Sequence, residues 1–206
     1  MSEPAVGMVS PIERGGHAEV GAVLGRAFDD DPLWSVIFPD ARLPKLISMF
    51  EALSRATLAA GGIVEVTPGI SGAALWMPPG TDRWLWSAVR SGFALPRFAI
   101  RLPLRDRKMM LAVLSQFDDR RKLLMPAPHW YLSAVGIDPS RQGEGLGSAL
   151  VRTGMHRADL DGRPIYLETE TESNVRFYQH RGFEVLEETV ATGLGLPVWL
   201  MSRPSA

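Results

Sequence analysis

The period of the hydrophobic positions changes several times along the chain, and each change marks an element. Over residues 17–28, Val20, Val23, Leu24, Ala27 and Phe28 recur at i, i+3, i+4, i+7 and i+8, the stripe of a helix lying on a core. The run Asp29-Asp30-Asp31-Pro32 reads as its stop, because proline disfavours a helical residue before it. A second helix is predicted from Pro44 to the pair Gly61-Gly62, glycine past the last periodic residue being a common terminator. Residues 63–66 and 72–77 read as strands joined through Thr67-Pro68-Gly69, which makes a hairpin. Residues 1–11 read as a loose tail or an edge strand. From 81 to 126 the pattern turns helical, and Pro96 and Pro103 are expected to divide it into two or three helices.

The last third is more regular. Residues 129–137 are apolar and β-leaning and run into Asp138-Pro139, as expected of a central, largely buried strand. A helix over 145–161 stops at Gly162, a strand follows over 164–168, a short helix over 174–180 ends at Gly182, and two strands close the chain at 183–188 and 198–202. This order predicts a mixed α/β (α+β) fold, a twisted sheet of six to seven strands flanked by helices, with a helical insertion before the central strand. At 206 residues, against the ~150 of a typical domain, one domain is expected, with 12–128 as its first half and 129–202 as its core.

Composition removes several function classes. Hydrophobic residues at 46% and charged residues at 22% give an ordinary globular mix, which excludes a disordered chain. The absence of cysteine removes disulfides, thiol nucleophiles and thiolate metal sites, and with four histidines as the remaining soft ligands no metal is expected. A net charge of -1 supplies no excess of positive charge for a phosphate backbone or an anionic bilayer, so neither nucleic acid nor membrane is an expected partner. The uncharged runs 66–81 and 123–137 are too short for a ~18-residue span and are broken by prolines. No apolar signal segment stands in the first thirty residues, and a cytoplasmic protein is expected. The basic stretch around Arg97–Lys122 is interleaved with Asp106, Asp118 and Asp119 and reads as a solvated helix face, with an anion-binding patch as the alternative.

Chemistry concentrates at Arg141-Gln142-Gly143-Glu144-Gly145-Leu146-Gly147-Ser148, between the central strand and a helix. Glycines at such a corner let backbone N–H groups converge on an anion, and the helix N-terminus adds its positive end, so the loop can cradle a diphosphate. A Walker A loop would need a lysine after its last glycine, and here Ser148 follows Gly147. A dinucleotide fingerprint would need a glycine at position 148. On spacing alone, a tight turn with close helix–strand packing remains open.

The segment Val135-Gly-Ile-Asp-Pro-Ser-Arg-Gln-Gly-Glu-Gly-Leu-Gly-Ser-Ala-Leu150 resembles the acetyl-coenzyme A loop of the GNAT superfamily of N-acetyltransferases, whose pattern is Gln/Arg-x-x-Gly-x-Gly/Ala. Gln142, Gly145 and Gly147 hold its fixed positions. Asn174-Val-Arg-Phe-Tyr-Gln-His-Arg-Gly-Phe183 is similar to the family's second signature, Asn-x-x-x-Tyr-x-x-x-Gly-Phe. Weaker likenesses at Ala27-Phe28, Asp31-Pro32, residues 72–78 and residues 197–204 are similar to the subgroup containing puromycin N-acetyltransferase.

The resemblance implies an N-acetyltransferase that moves acetyl from acetyl-coenzyme A to a small-molecule amine, directly and in a ternary complex. The implied cofactor site comprises Val135, Gly136, Ile137, residues Arg141, Gln142, Gly143, Glu144, Gly145, Leu146, Gly147 and Ser148, and Asn174 with Tyr178. Tyr178 takes the part of acid, its phenol (ordinary pKa ~10) facing a thiol comparable to cysteine at ~8.5. The base is Glu168 or His129. For the acceptor pocket the candidates are Asp30, Asp31, Trp34, Trp76 and Glu168, with Trp84 and Trp86 beside them, since aromatic walls with carboxylates suit a cationic amine. Core packing for the tryptophans and a helix stop for the acids are the alternatives. A peptide acetyltransferase and a non-catalytic acyl-coenzyme A sensor stay open, as do a monomer and a homodimer.

Overall fold

The computed structural model describes residues 9–13, 15–81 and 92–206. Seven strands form one sheet: β1 (Ser10–Pro11), β2 (Ile63–Val66), β3 (Gly72–Met77), β4 (Trp130–Ile137), β5 (Ile165–Thr169), β6 (Glu184–Val190) and β7 (Pro197–Arg203), in the spatial order β1-β2-β3-β4-β5-β7-β6. All neighbours are antiparallel except β4 and β5. The first helices are α1 (His17–Ala27), α2 (Pro32–Ile37) and α3 (Arg42–Ala59); α4 (Ala94–Arg101) and α5 (Leu104–Leu124) follow β3, and α6 (Leu146–Leu160) and α7 (Glu172–Gln179) flank β5.

Both faces of the sheet are covered. Ala73, Leu75 and Ala134 pack with Val20, Leu24, Leu46 and Phe50 of α1 and α3. On the other face Ala74, Trp76 and Leu132 pack with Leu150, Val151 and Ala158 of α6 and with Val175 of α7. Strands covered on both faces lose the apolar–polar alternation, which is why 72–77 and 130–137 read as near-continuous apolar runs.

Two prolines act differently from the sequence expectation. Pro32 opens α2 instead of only ending what precedes it: Asp31 is the N-cap, accepting from the N–H groups of Leu33 (2.9 Å) and Trp34 (3.2 Å), and Pro32 fills the first helical position, where its missing N–H costs nothing. Pro96 lies in the first turn of α4 for the same reason and does not divide the helix, whereas Pro103 separates α4 from α5. A Lys45–Asp106 ion pair (2.8 Å), with the carboxylate buried, ties α3 to α5.

The feature that positions the site is in β4. Its register against β3 shifts so that Leu75 pairs with Ala134 but Trp76 with Leu132, leaving Ser133 as the extra residue of a bulge. The bulge turns Leu132 and Ala134 to opposite faces. β4 pairs with β5 only at Trp130–Ile165 and Tyr131–Tyr166. From Leu132 onward the two strands part.

Candidate active site

The parting of β4 from β5 opens a cleft of about 670 Å³. Val135, Gly136 and Ile137 form one wall, Asn174, Phe177 and Tyr178 of α7 the other, and the loop at 141–148 closes one end. Asp138 fixes the loop: its carboxylate accepts from Ser140 Oγ (2.7 Å) and Ser140 N (3.1 Å) and pairs with Arg26 of α1 (2.7 Å). The serine hydroxyl and Arg26 hold that carboxyl down at about 2. Gly143 (φ 83°) and Gly145 (φ 80°) lie in the left-handed region that favours glycine, and nothing stands within 4 Å of where a Cβ on either would point. The open side of the turn is therefore free for a ligand. Ala149 makes the first bond of α6, to the Gly145 carbonyl (3.0 Å), so the N–H groups of Leu146, Gly147 and Ser148 carry the helix's positive end without intrahelical acceptors.

Most of the implied coenzyme residues line this cleft: Val135, Gly136, Ile137, Arg141, Gln142, Gly143, Gly145, Leu146, Gly147, Ser148, Asn174 and Tyr178. Glu144 is the exception. Its exposed carboxylate is engaged by Arg141 at 2.6 and 2.7 Å. Arg181 is a cleft residue to which the sequence reading gave no role, although it stands inside the second signature. Its guanidinium stacks on Phe177, 3.5 Å from the ring centroid, and donates to Ser148 Oγ, which sets a positive charge beside the α6 N-terminus.

A second cavity of about 440 Å³ meets the cleft at Phe28, Val135, Asn174 and Tyr178, which line both. Leu33 and Trp34 of α2, Met49 and Phe50 of α3, Phe98 of α4 and Met110 and Phe117 of α5 make its wall apolar. Glu168, Thr169 and Glu170 enter it from the end of β5. Glu168 Oε1 is buried without a hydrogen-bond partner. Burial pushes this carboxyl up to about 7, against the opposing pull of Tyr131, Tyr166 and Arg121. Glu170 is raised well above the carboxylate range by burial and then by the charges of Asp31 and Glu168. Glu170 has no place in the motifs above, and the signal for it in the chain is the alternation Glu168-Thr169-Glu170, which sends both acids to one side of an extended segment.

Tyr178 stands where cleft and cavity join, buried between Phe177 (5.2 Å) and Phe183 (5.4 Å). Burial and the neighbouring Glu170 raise its phenol, which therefore keeps its proton at neutral pH. Asn174, four residues earlier on the same face, donates its N–H to the capping Thr171 Oγ1 (3.3 Å) and leaves its amide exposed at the junction.

Several candidates lie outside the acceptor cavity. Trp76 does not line the acceptor cavity: it is fully buried on the opposite face of the sheet, packed onto Gly154 of α6. His129 stands beyond the paired end of β4, away from the gap; its Nδ1 lies 2.9 Å from the Ala127 carbonyl, and it lines a separate cavity with Met77, Arg121 and Lys122. Asp30 and Asp31 line the cleft and not the apolar cavity, so Trp34 and Glu168 are the acceptor candidates found there. Trp84 and Trp86 lie outside the described residues. Among the described residues no group of three or more His, Asp and Glu is placed to hold a metal, and no helix is long and apolar enough to cross a membrane.

Comparison with known proteins agrees with this arrangement. The model of the Acetyltransferase (GNAT) family matches residues 108–183, from α5 through the cleft to the end of the second signature. An uncharacterized N-acetyltransferase of Schizosaccharomyces pombe is 32% identical over 184 residues, 84% of this chain and 72% of that one. Among solved structures, a Corynebacterium glutamicum protein described as histone acetyltransferase and related acetyltransferase superposes with a TM-score of 0.68 at 25% identity, covering 97% of this chain and 96% of that one. A mosquito arylalkylamine N-acetyltransferase-like protein shares the fold, with a TM-score of 0.65 at 11% identity over 95% and 98% of the two chains. Sequence, sheet order and cleft thus lead to one assignment: this chain belongs to the GNAT family of N-acetyltransferases.

Proposed function

We propose that the protein transfers acetyl from acetyl-coenzyme A to a small-molecule amine, directly and with both substrates bound. The observation that carries this reading is the junction: a cleft fitted for a diphosphate carrier opens, at Tyr178 and Asn174, into an apolar cavity that holds a carboxylate titrating near neutrality. The chain fits the coenzyme on two counts. The gap beyond Tyr131 leaves the β5-facing edge of β4 free to pair with an extended pantetheine arm, and the open glycine turn with Arg181 beside it suits two phosphates.

Acetyl-coenzyme A supplies a thioester carbonyl open to an amine and a thiol that departs. The remaining work belongs to the chain. Glu168, partly ionised at neutral pH, takes a proton from the incoming ammonium, since only the free amine is a nucleophile. Tyr178 holds its proton at the junction and donates it where sulfur charge develops. As the C–N bond forms and the C–S bond breaks, the nitrogen loses two protons: one goes to solvent by way of Glu168, and the other restores the phenol of Tyr178 after that group has protonated the departing thiol.

The likeness to the puromycin subgroup over residues 72–78 falls on β3, buried in the sheet, so it supports a common core and leaves the acceptor unspecified. The carboxylates lie inside the cavity and its neighbouring cleft; a peptide acetyltransferase would be expected to carry them along an open groove. The test is titration with acetyl-coenzyme A by calorimetry, followed by an assay of thiol release over a panel of amines. Binding together with amine-dependent release supports the reading. Binding without release for any amine turns it into a sensor, and no binding removes it.

A further inference from the structure

We infer that the acceptor is a primary amine carried on a compact, uncharged apolar body, aromatic or aliphatic, and that diamines, polyamines, aminoglycosides and lysine peptides are poor substrates. The inference deepens the acetyl-transfer reading and rests on it. It starts from how charge is distributed around the 440 Å³ cavity. Its carboxylates, Glu168 and Glu170, both come from the end of β5. Among its described lining residues there is no other Asp or Glu and no Lys or Arg. The wall contributed by α2 to α5 is built of Trp34, Phe50, Phe98, Met110, Leu114 and Phe117.

Counter-charge is therefore confined to the β5 end of the cavity. A second ammonium on the same molecule, reaching from that end toward α2 to α5, would find no carboxylate among the described lining residues there, and buried charges persist only when paired. The rim repeats the preference: Leu111 and Leu114, which line the cavity on α5, are 52% and 44% exposed, so the sugar hydroxyls of an aminoglycoside would meet leucine instead of hydrogen-bonding groups. The volume falls in the ~300–1,000 Å³ range of small-ligand pockets, large enough for a single ring on a short alkylamine.

The experiment compares kcat/KM of the full-length protein for 2-phenylethylamine and hexylamine with that for 1,4-diaminobutane, spermidine, kanamycin and a lysine peptide, at saturating acetyl-coenzyme A. Both monoamines are expected to exceed the diamine by ~10–200-fold, the discrimination typical of a hydrophobic pocket. Leu114→Glu, on the half-exposed rim of α5, supplies the missing counter-charge and should narrow that ratio by at least about tenfold, with the circular dichroism spectrum unchanged. Turnover of the diamine, polyamine, aminoglycoside or peptide as good as that of the monoamines overturns the inference and leaves acetyl transfer standing. An unchanged ratio in a folded Leu114→Glu protein also overturns it, because the wall would then not face the acceptor. Failure with every amine despite coenzyme binding removes both readings.

Discussion

Replacing Glu168 by Gln should raise stability and abolish most activity, each with a defined pH dependence. The carboxyl rises from an ordinary 4.5 to about 7 in the folded protein, chiefly through burial. A folded-state acid with a raised pKa holds its proton over a range where the unfolded chain has lost it, so stability falls as pH climbs from about 4.5 through 7 and is level above that. The gap corresponds to roughly 3 kcal/mol. Gln keeps the shape and never ionises. Its Tm should match that of the wild type near pH 4.5 and exceed it by about 6–12 °C at pH 8.5, at the ~2–4 °C per kcal/mol expected for a chain of this size. In the rate assay, wild-type kcat/KM should climb about tenfold per pH unit toward a plateau above about 7. The variant should lose that limb together with ~10²–10⁴ of the rate. Thermal unfolding at the two pH values and the pH–rate profile are the measurements. A Tm difference that is the same at both, or an acid limb that survives the substitution, would refute the assignment of Glu168 as base.

Other expectations follow from the same geometry. Tyr178→Phe should lower kcat by ~10²-fold or more while calorimetry finds acetyl-coenzyme A binding nearly intact, since the hydroxyl acts as charge develops on sulfur and the ring alone fills the space between Phe177 and Phe183. Gly145→Ala should cost ~1–2 kcal/mol in denaturant unfolding because φ is 80° there, whereas Gly147→Ala, whose Cβ would meet Ile137 at an ordinary 3.6 Å, should leave stability unchanged. Gly154→Ala would set a Cβ 2.0 Å from the fully buried Trp76 ring and should destabilise by ~3 kcal/mol or more, read from the urea midpoint. Arg181→Met should weaken acetyl-coenzyme A binding by ~10-fold and flatten its salt dependence, with kcat at saturation little changed.

Local signals account for what was legible in the chain. The stripe from Val20 to Phe28, the glycine stops at Gly61 and Gly162, and the turn at Thr67-Pro68-Gly69 each act over a few residues, and the elements end within a few residues of where those signals lie. Pro32 and Pro96 were harder to read because proline ends one helix and begins another through the same missing N–H, and the deciding partner is a cap such as Asp31. The loop at 141–148 could be read because its two left-handed turns favour glycine and its neighbours recur in a known pattern. The acceptor side could not be read in the same way. Trp76 and Trp34 look alike in sequence, and only the covering of β3 on both faces by helices distant along the chain buries the first while the second reaches the cavity. Glu170 is raised first by burial and then by the charge of Asp31, 139 positions away, a meeting set by α2 and the end of β5 that no spacing records.

The most direct test is a crystal structure with acetyl-coenzyme A bound. The pantetheine should extend along Val135 to Ile137 in the gap beyond Tyr131, the diphosphate should rest over Gly143 to Ser148 near Arg181, and the sulfur should lie within hydrogen-bonding reach of Tyr178 with the acetyl group directed toward Glu168. A coenzyme seated away from the β4–β5 gap, or a thioester pointing away from the apolar cavity, would contradict the account.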